Sequence, residues 1–288
     1  MSDSNYRLER LKPILACPAC QGNLLYTLDT ATCQLCQAAY SIQHGKIYFV
    51  SVPERVDELD KLKGLLKKWL GRYYYTIGRN VIAPTYPFNF RGKICQRLDP
   101  ARQIVVDVGC GNHRMDENII TLDFFDYDAV DVVCDLGMLP FKSDSVDAFV
   151  SRSVLEHISD NSLVIQQFNR CTRPGGLGLH LIPFLFPFHA SPHDFQRYTH
   201  KGQEALFKEW EVIEQTNPTG PVTLALVCLI EFLSILFSFG QEKIKASLSL
   251  IFCVLLFPLK FLDFPFVNRR SFFSLAPTLF IVVRKSGV

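Results

Sequence analysis

The chain has 288 residues, 48% of them hydrophobic, and its 30 lysines and arginines against 28 acidic residues leave a net charge of +2. This near-neutral balance does not indicate a large polyanion-binding surface, so nucleic acid is not an expected partner. Ten cysteines in a chain of this length do not indicate a secreted disulfide scaffold. The first residues lack the basic and apolar regions of a signal peptide, so a cytoplasmic location is expected.

Four of the ten cysteines lie near the N-terminus, in the pairs Cys17-Pro-Ala-Cys20 and Cys33-Gln-Leu-Cys36. Two such pairs supply the four thiolates of a structural zinc site, whose filled coordination shell leaves no position for catalysis. Residues 1–50 cannot bury a large apolar core, so a bound metal would supply much of their folding free energy. Short strands are predicted around it at 24–28, 40–42 and 46–50. The alternative is two pairs of reduced thiols without a metal.

Residues 51–100 are predicted to form a linker. Apolar residues from Val56 to Leu70 recur every three or four positions, which is typical of an amphipathic helix, and lysines lie on its opposite face. That helix either packs on the following domain or rests on an anionic membrane. Tyr73-Tyr-Tyr75 and the aromatic stretch 84–90 follow without a regular period.

Strands and helices alternate over residues 101–220, which indicates a parallel sheet covered by helices. Strands are predicted at 104–108, 119–123, 148–151 and 177–183, with helices at 162–171 and 201–210. Only sixteen positions separate Asp107 from Asp123, so the helix between the first two strands is expected to be short, around 112–118. Ligands of such sheets bind beyond the carboxyl ends of the strands.

The first of these strands runs into Asp107-Val-Gly-Cys-Gly111, where glycines allow a tight turn and a close approach of ligand to backbone. Asp123 closes the next strand, and the segments 135–141 (DLGMLPF) and 153–157 (SVLEH) follow. In this order the four elements resemble the class I S-adenosylmethionine-dependent methyltransferases, and within them the type 11 group. The resemblance implies an α/β fold with a Rossmann-like sheet that is parallel except for an antiparallel last strand.

The resemblance also assigns residues to the cofactor. Asp107, Gly109 and Gly111 would hold the methionine part of S-adenosylmethionine, with the glycines letting backbone amides reach its carboxylate. His113 stands where the family has a third glycine. In related methyltransferases the segment ahead of the first strand caps the pocket, so 51–100 is expected to form a linker helix and pocket cap.

The remaining cofactor contacts implied by the resemblance lie on later strands. Asp123 would accept hydrogen bonds from the ribose hydroxyls, Asp135 and the backbone of Leu136 would contact the adenine edge, and Ser153 would lie near the sulfonium. Residues 1–50 in turn resemble the zinc-ribbon modules of the tRNA-methyltransferase activator family, through their Ile14-Leu-Ala-Cys-Pro opening.

The loop after the strand at 177–183 contains the run His193-Asp-Phe-Gln-Arg197-Tyr-Thr, which is similar to a segment common in type 11 relatives. His193 is the candidate general base, with Asp194 to orient it and Arg197 to bind an anionic group of the acceptor. The alternative is structural: His193 and Asp194 cap the next helix, and Arg197 pairs with an acid.

Residues 221–270 are predicted to be an apolar helical hairpin inserted before the last strand at 271–288. The runs 222–239 and 248–261 are mostly apolar, and a membrane span needs about twenty such residues. Thr223, Glu231, Ser234 and Ser238 fall on one helical face, which favours a helix at the membrane surface, with Lys260 and other basic residues near head groups, over one surrounded by lipid. A homodimer through this hairpin is the alternative.

Together these features predict a methyltransferase that uses S-adenosylmethionine and carries zinc. Its acceptor is expected to be a small lipidic or membrane-associated molecule, methylated on oxygen or carbon, at the cytoplasmic face of a membrane. One alternative is an RNA base methyltransferase, since zinc-ribbon modules also precede such domains. The other is a scaffold without catalytic activity, in which the zinc ribbon recruits partners.

Overall fold

The computed structural model describes residues 3–52, 82–189 and 193–287, so the predicted linker helix and Tyr73–75 lie outside the described residues. The described strands form one sheet in the order β1-β2-β3-β4-β7-β6-β5-β8-β9-β11-β10. They are β1 Leu24–Tyr26, β2 Thr30–Cys33, β3 Ala39–Gln43, β4 Lys46–Tyr48, β5 Val105–Val108, β6 Ile120–Asp123, β7 Val132–Val133, β8 Val146–Arg152, β9 Thr172–Pro183, β10 Trp210–Thr216 and β11 Thr278–Lys285. The α-helices are α1 Asp3–Leu11, α2 Phe90–Cys95, α3 Asn161–Cys171, α4 His200–Leu206, α5 Pro221–Ser238 and α6 Glu242–Leu256.

The centre of the sheet is parallel, as predicted. β7, β6, β5, β8 and β9 run in one direction, and β11 pairs antiparallel with both β9 and β10. On one face, Phe168 of α3 stacks on Phe149, with ring centroids 4.7 Å apart. On the other, Phe88 and Phe90 pack against Phe280. The predicted fold class, a Rossmann-like methyltransferase sheet with an antiparallel last strand, is confirmed.

The predicted short helix around 112–118 is wrong. Within the described range 82–189, the connection from β5 to β6 consists of turns. The guanidinium of Arg114 donates to the carbonyl oxygens of Ile119 and Ala129 and makes two bonds to the buried Asp131, at 2.7 and 3.0 Å. These bonds tie the connection to Ile119 and to the segment before β7, which fixes it in a compact non-helical path.

The N-terminal cysteine-rich segment continues the main sheet. β4 pairs parallel with β7, with Ile47 opposite Val132. Arg7 of α1 donates to Asp131 at 3.0 Å, and the Ala16 amide donates to the Pro140 carbonyl at 2.9 Å. The sequence predicts a separate module over residues 1–50. In the structure, pairing between β4 and β7 makes this segment one edge of the main sheet.

The apolar insertion is a pair of helices, α5 and α6, that emerges between β10 and β11. The carboxylate of Asp263, which is fully buried, accepts from the backbone amides of Gly220, Val222 and Thr223 at 2.8–3.0 Å. This bond set satisfies the first amides of α5 and ties the start of the insertion to its end. By length and composition, Pro221–Ser238 and Glu242–Asp263 could each cross a membrane, with mean hydropathies of 2.2 and 1.9.

The polar stripe of α5 faces the protein. Thr223, Ser234 and Ser238 are buried, and Glu231 pairs with Lys245 of α6 at 2.8 Å. The outward surface of the insertion is apolar instead. Side chains that expose about half or more of their area there include Phe232, Phe239, Leu255, Leu262 and Phe264. The stripe therefore does not argue against contact with lipid, which corrects the sequence interpretation.

Candidate active site

The two glycines that follow β5 have different structural tasks. Gly109 has φ +66°, and a Cβ there would lie 2.5 Å from Cγ2 of Val154. Gly111 has φ +58°, and a Cβ there would meet open space. Left-handed backbone at both positions favours glycine, while the absence of a side chain at Gly111 leaves room for a ligand.

The amides of these glycines already have acceptors within the protein. The Gly109 amide donates to the Leu122 carbonyl, and the Gly111 amide donates to Asp123 Oδ2, both at 2.8 Å. The amides of Gly109 and Gly111 are therefore engaged within the protein, and the expectation that nearby backbone amides reach the cofactor's carboxylate stays a prediction. The glycines contribute close approach, and Asp123 is held in place by backbone donors.

A first cavity of about 590 Å³ lies at the carboxyl edge of the sheet, within the range typical of small-molecule sites. It brings together six of the seven predicted cofactor residues with the side chains that follow β6. Its walls include Gly109, Gly111, Asp123, Asp135, Leu136, Ser153, Phe124 and Tyr127. Acidic acceptors next to aromatic rings suit a nucleoside, whose hydroxyls donate and whose base stacks.

Asp107 lies in a neighbouring cavity of about 890 Å³, which shares Gly109 and Ser153 with the first. His113 lines this second cavity too, as do the aromatic residues Tyr86 and Phe88. Its remaining wall includes Pro218 and Thr219, at the base of the apolar insertion. The three predicted acids thus border two adjoining cavities.

Ser153 stands between the two cavities with φ +53°. A left-handed backbone at a serine is uncommon and stores strain, which proteins tend to keep at functional positions. Its amide donates to the Leu181 carbonyl at 2.9 Å, which fixes the strained residue at the end of β8.

The predicted catalytic loop is arranged differently from the expectation. His193 is exposed and lines the first cavity. Asp194, however, pairs with both guanidinium nitrogens of Arg197 and accepts from the His189 amide at 2.8 Å. Hydrogen bonds from Arg197 hold the pKa of Asp194 at about 2. The assignment of Asp194 as the residue that orients His193 is corrected, because its carboxylate faces His189.

Arg197 is likewise engaged inside the loop. Besides Asp194, its guanidinium donates to the carbonyl oxygens of Phe186 and Pro187 at 3.2 Å. The guanidinium therefore fixes the path of the loop. Its pairing with an acid is the structural alternative that the sequence left open. The prediction that Arg197 binds an anionic acceptor group has no support in this arrangement.

Sequence reasoning missed a cluster of two histidines and one glutamate beside the first cavity. Glu156, which is fully buried, lies next to His157 and His189. The Glu156 carboxylate raises the pKa of His189 above its ordinary value. The only sequence signal was the Leu-Glu-His segment, and nothing local connects it with residue 189.

The four N-terminal cysteines meet at one point. Cys17 and Cys36 sulfurs lie 3.6 Å apart, Cys20 and Cys33 sulfurs 3.4 Å, and all four lie within 4.8 Å of one another. Zinc–sulfur bonds of 2.3 Å at tetrahedral angles would set sulfurs about 3.8 Å apart. Backbone amides of Cys36 and Leu35 direct hydrogen bonds at Cys33 and lower its pKa to about 6, which favours the thiolate form. The donor set fits a zinc ion.

Comparison with known proteins supports the enzyme class. A family model described as a methyltransferase domain matches residues 106–179, which run from β5 into β9. This match assigns the central strands of the sheet to a methyltransferase domain. No curated protein sequence matches the chain.

Solved structures with a similar fold include phosphoethanolamine N-methyltransferase 2 from Haemonchus contortus in complex with S-adenosyl-L-methionine. It is 17% identical, with a TM-score of 0.46 over 82% of this chain and 61% of that one. A second is geranyl diphosphate C-methyltransferase from Streptomyces coelicolor, 11% identical, with a TM-score of 0.39 over 68% of this chain and 77% of that one. The chain spans 61% and 60% of the first two structures matched. At identities this low, the likeness concerns the fold and not the substrate.

Proposed function

We propose that the chain methylates a small lipidic or membrane-associated acceptor, on oxygen or carbon, with S-adenosylmethionine as donor. One observation carries the proposal: the second cavity connects Asp107, Gly109 and Ser153 with Pro218 and Thr219 at the base of the apolar insertion. An acceptor lying against the insertion would reach the cofactor residues through a cavity lined by aromatic side chains.

S-adenosylmethionine supplies an activated methyl group, and the protein's part is to hold donor and acceptor in line. The nucleoside would occupy the first cavity, with Asp123 and Asp135 as acceptors and Leu136 against the base. The methionine part would extend past Gly109 and Ser153 towards Asp107. His193 stays the proposed general base; it lines the first cavity, which adjoins the second at Gly109 and Ser153.

The apolar insertion supports a membrane surface as the site of action. Large apolar side chains of α5 and α6 are exposed, while Thr223, Ser234 and Ser238 of α5 face inward, so water is a poor environment for this surface. The earlier expectation that Lys260 contacts head groups is wrong, because this residue is fully buried and its Nζ donates to the Ala83 carbonyl at 2.8 Å. We place the protein at the cytoplasmic face of a membrane, held by apolar contact.

We also propose that Cys17, Cys20, Cys33 and Cys36 hold a structural zinc ion. Their sulfur spacing and the amide donors directed at Cys33 support it. Because β3 and β4 link this site to β7, the metal would fix the edge strands of the catalytic sheet.

A transfer assay tests the function. The full chain is incubated with methyl-labelled S-adenosylmethionine and a membrane lipid extract, and the Gly111→Ala variant serves as the control with an obstructed first cavity. We expect label in an organic-soluble product with the unmodified protein only. Label in RNA but not in lipid would contradict the acceptor class, and absence of cofactor binding in calorimetry would indicate a scaffold.

Vesicle flotation tests the membrane contact. Leu255→Asn with Ile251→Asn changes two exposed residues of α6, and Leu28→Asn with Leu35→Asn changes two exposed residues of the cysteine-rich segment. Loss of roughly 1 kcal/mol of apolar burial at each α6 position should weaken binding to anionic vesicles roughly 30-fold. The second pair should float like the unmodified protein. Equal behaviour of both pairs, or a concentration-dependent dimer in place of flotation, would overturn the membrane assignment.

A further inference from the structure

The buried carboxylate of Glu156 is unusual among the described residues. Its side chain has no solvent exposure, and neither oxygen makes a well-aligned hydrogen bond with a described group. A buried polar group without partners costs about 1–3 kcal/mol, and more when it is charged. Two imidazole nitrogens lie close to Oε1, Nε2 of His189 at 3.5 Å and Nε2 of His157 at 3.7 Å.

The opposite nitrogen of each imidazole has an acceptor. His157 Nδ1 lies 2.5 Å from the His193 carbonyl oxygen, and His189 Nδ1 lies 3.1 Å from the Pro187 carbonyl oxygen. A carbonyl can only accept, so both Nδ1 atoms carry the hydrogen and donate. In the neutral tautomer each Nε2 therefore presents a lone pair, and both lone pairs lie beside the carboxylate.

Three electron-pair donors that face one another repel, and either a metal cation or a proton between them removes that repulsion. The three ligand atoms lie within 4.8 Å of one another. Metal–ligand bonds of 2.1 Å at tetrahedral angles would separate ligand atoms by about 3.4 Å, close to the observed separations. Octahedral neighbours at the same bond length would lie about 3.0 Å apart, which fits less well.

A second carboxylate supports the orientation of His189. Asp194 Oδ2 lies 3.6 Å from His189 Nδ1, on the side of the ring away from Glu156. A carboxylate or carbonyl behind an imidazole is the usual support of a metal-binding histidine, because it fixes the ring and raises its basicity. The loop ion pair between Asp194 and Arg197 holds that carboxylate in place.

We propose that Glu156, His157 and His189 bind a divalent transition-metal ion of the zinc type with tetrahedral geometry. Three protein ligands leave a fourth position, which is the arrangement of zinc sites that also bind water or a substrate oxygen. His157 lines the first cavity, so that position is next to the site already described. Coordination of an acceptor oxygen there rests on the proposed function, whereas the metal site does not.

Zinc counting tests the site directly. The full chain and its variants are dialysed against Zn²⁺, and bound zinc per chain is measured by mass spectrometry. Glu156→Gln and His189→Asn should each bind one zinc fewer than the unmodified protein, whatever the cysteines bind. His44→Asn changes an exposed histidine whose φ of +53° suits asparagine, and it should leave the zinc count unchanged.

Cobalt substitution separates this site from the cysteines and guards against misfolding. With Co²⁺, the unmodified protein should show thiolate charge-transfer absorption from the cysteine site together with visible bands from both sites. Cys20→Ser should reduce the charge-transfer absorption and retain the visible bands of the histidine site, and Glu156→Gln should lose those bands and retain the charge-transfer absorption. Cofactor binding measured by calorimetry should persist in Glu156→Gln, which shows that the variant is folded. Unchanged zinc counts in both cluster variants would overturn the proposal and leave a proton on His189 as the occupant.

Discussion

Alanine substitutions at the two glycines after β5 should have different consequences: mainly a loss of stability at Gly109 and mainly a loss of cofactor affinity at Gly111. At Gly109, alanine in a left-handed conformation costs about 1–2 kcal/mol. Its Cβ would also lie 2.5 and 2.8 Å from the two γ-carbons of Val154, a stiff β-branched side chain. Such overpacking adds roughly 1–3 kcal/mol, so Gly109→Ala should lower the free energy of unfolding by roughly 2–5 kcal/mol.

At Gly111 the new methyl group meets no protein atom within 4 Å. Only the cost of placing alanine in a left-handed backbone conformation remains, so Gly111→Ala should lose about 1–2 kcal/mol of stability. Because Gly111 lines the first cavity, however, its Cβ would occupy space that the cofactor needs, and affinity should fall at least about tenfold, or 1.4 kcal/mol.

Urea denaturation and calorimetry with S-adenosylhomocysteine measure the two effects on the same preparations. The expected pattern is a large stability loss in Gly109→Ala and a large affinity loss in Gly111→Ala. Equal stability losses in the two variants, or normal cofactor affinity in Gly111→Ala, would refute the assignment of structural and binding tasks.

Three further outcomes are expected. Burial lowers the pKa of His180 to about 3, so protonation favours the unfolded chain. The free energy of unfolding should therefore fall by about 1.4 kcal/mol per pH unit below about pH 6.5. His180→Asn should reduce this pH dependence, as measured by denaturation midpoints at pH 7 and pH 5. Asp263→Ala removes the acceptor of three amides of the insertion and should cost roughly 3 kcal/mol. Asp160→Ala removes an exposed helix cap and should cost clearly less; equal losses would contradict the capping role of Asp263. Cys33→Ser should lower the zinc content by one ion per chain while Cys95→Ser leaves it unchanged, and zinc that is insensitive to Cys33 would contradict the four-cysteine site.

Local patterns were enough to predict the centre of the fold. A binding site at the carboxyl edge of a parallel sheet is indicated by the apolar run at β5 with its acid and glycines, and by the acid that ends β6. Such features can be read from sequence because strand burial and glycine conformation depend mainly on neighbouring residues. The four N-terminal cysteines belong to the same category, since the spacing within each pair is set by a tight turn.

Partner choice between distant residues could not be predicted. The run around His193 suggested an interaction between adjacent side chains, but Asp194 faces His189 and Arg197 instead. The loop closes back on itself, and carboxylate direction depends on that closure. The absent helix after β5 has a similar cause, because Arg114 binds Asp131 across the crossover.

By itself, the sequence determined the class of sheet, the position of the cofactor edge and the four clustered cysteines, because each depends on short-range periodicity and backbone conformation. Only the tertiary structure decided that the cysteine-rich segment joins the catalytic sheet and that the polar stripe of α5 faces inward. It also brought His189 to Glu156, thirty-three positions away along the chain. These outcomes depend on which surfaces meet when the chain closes, and contacts across such separations leave no periodic trace in the residues that make them.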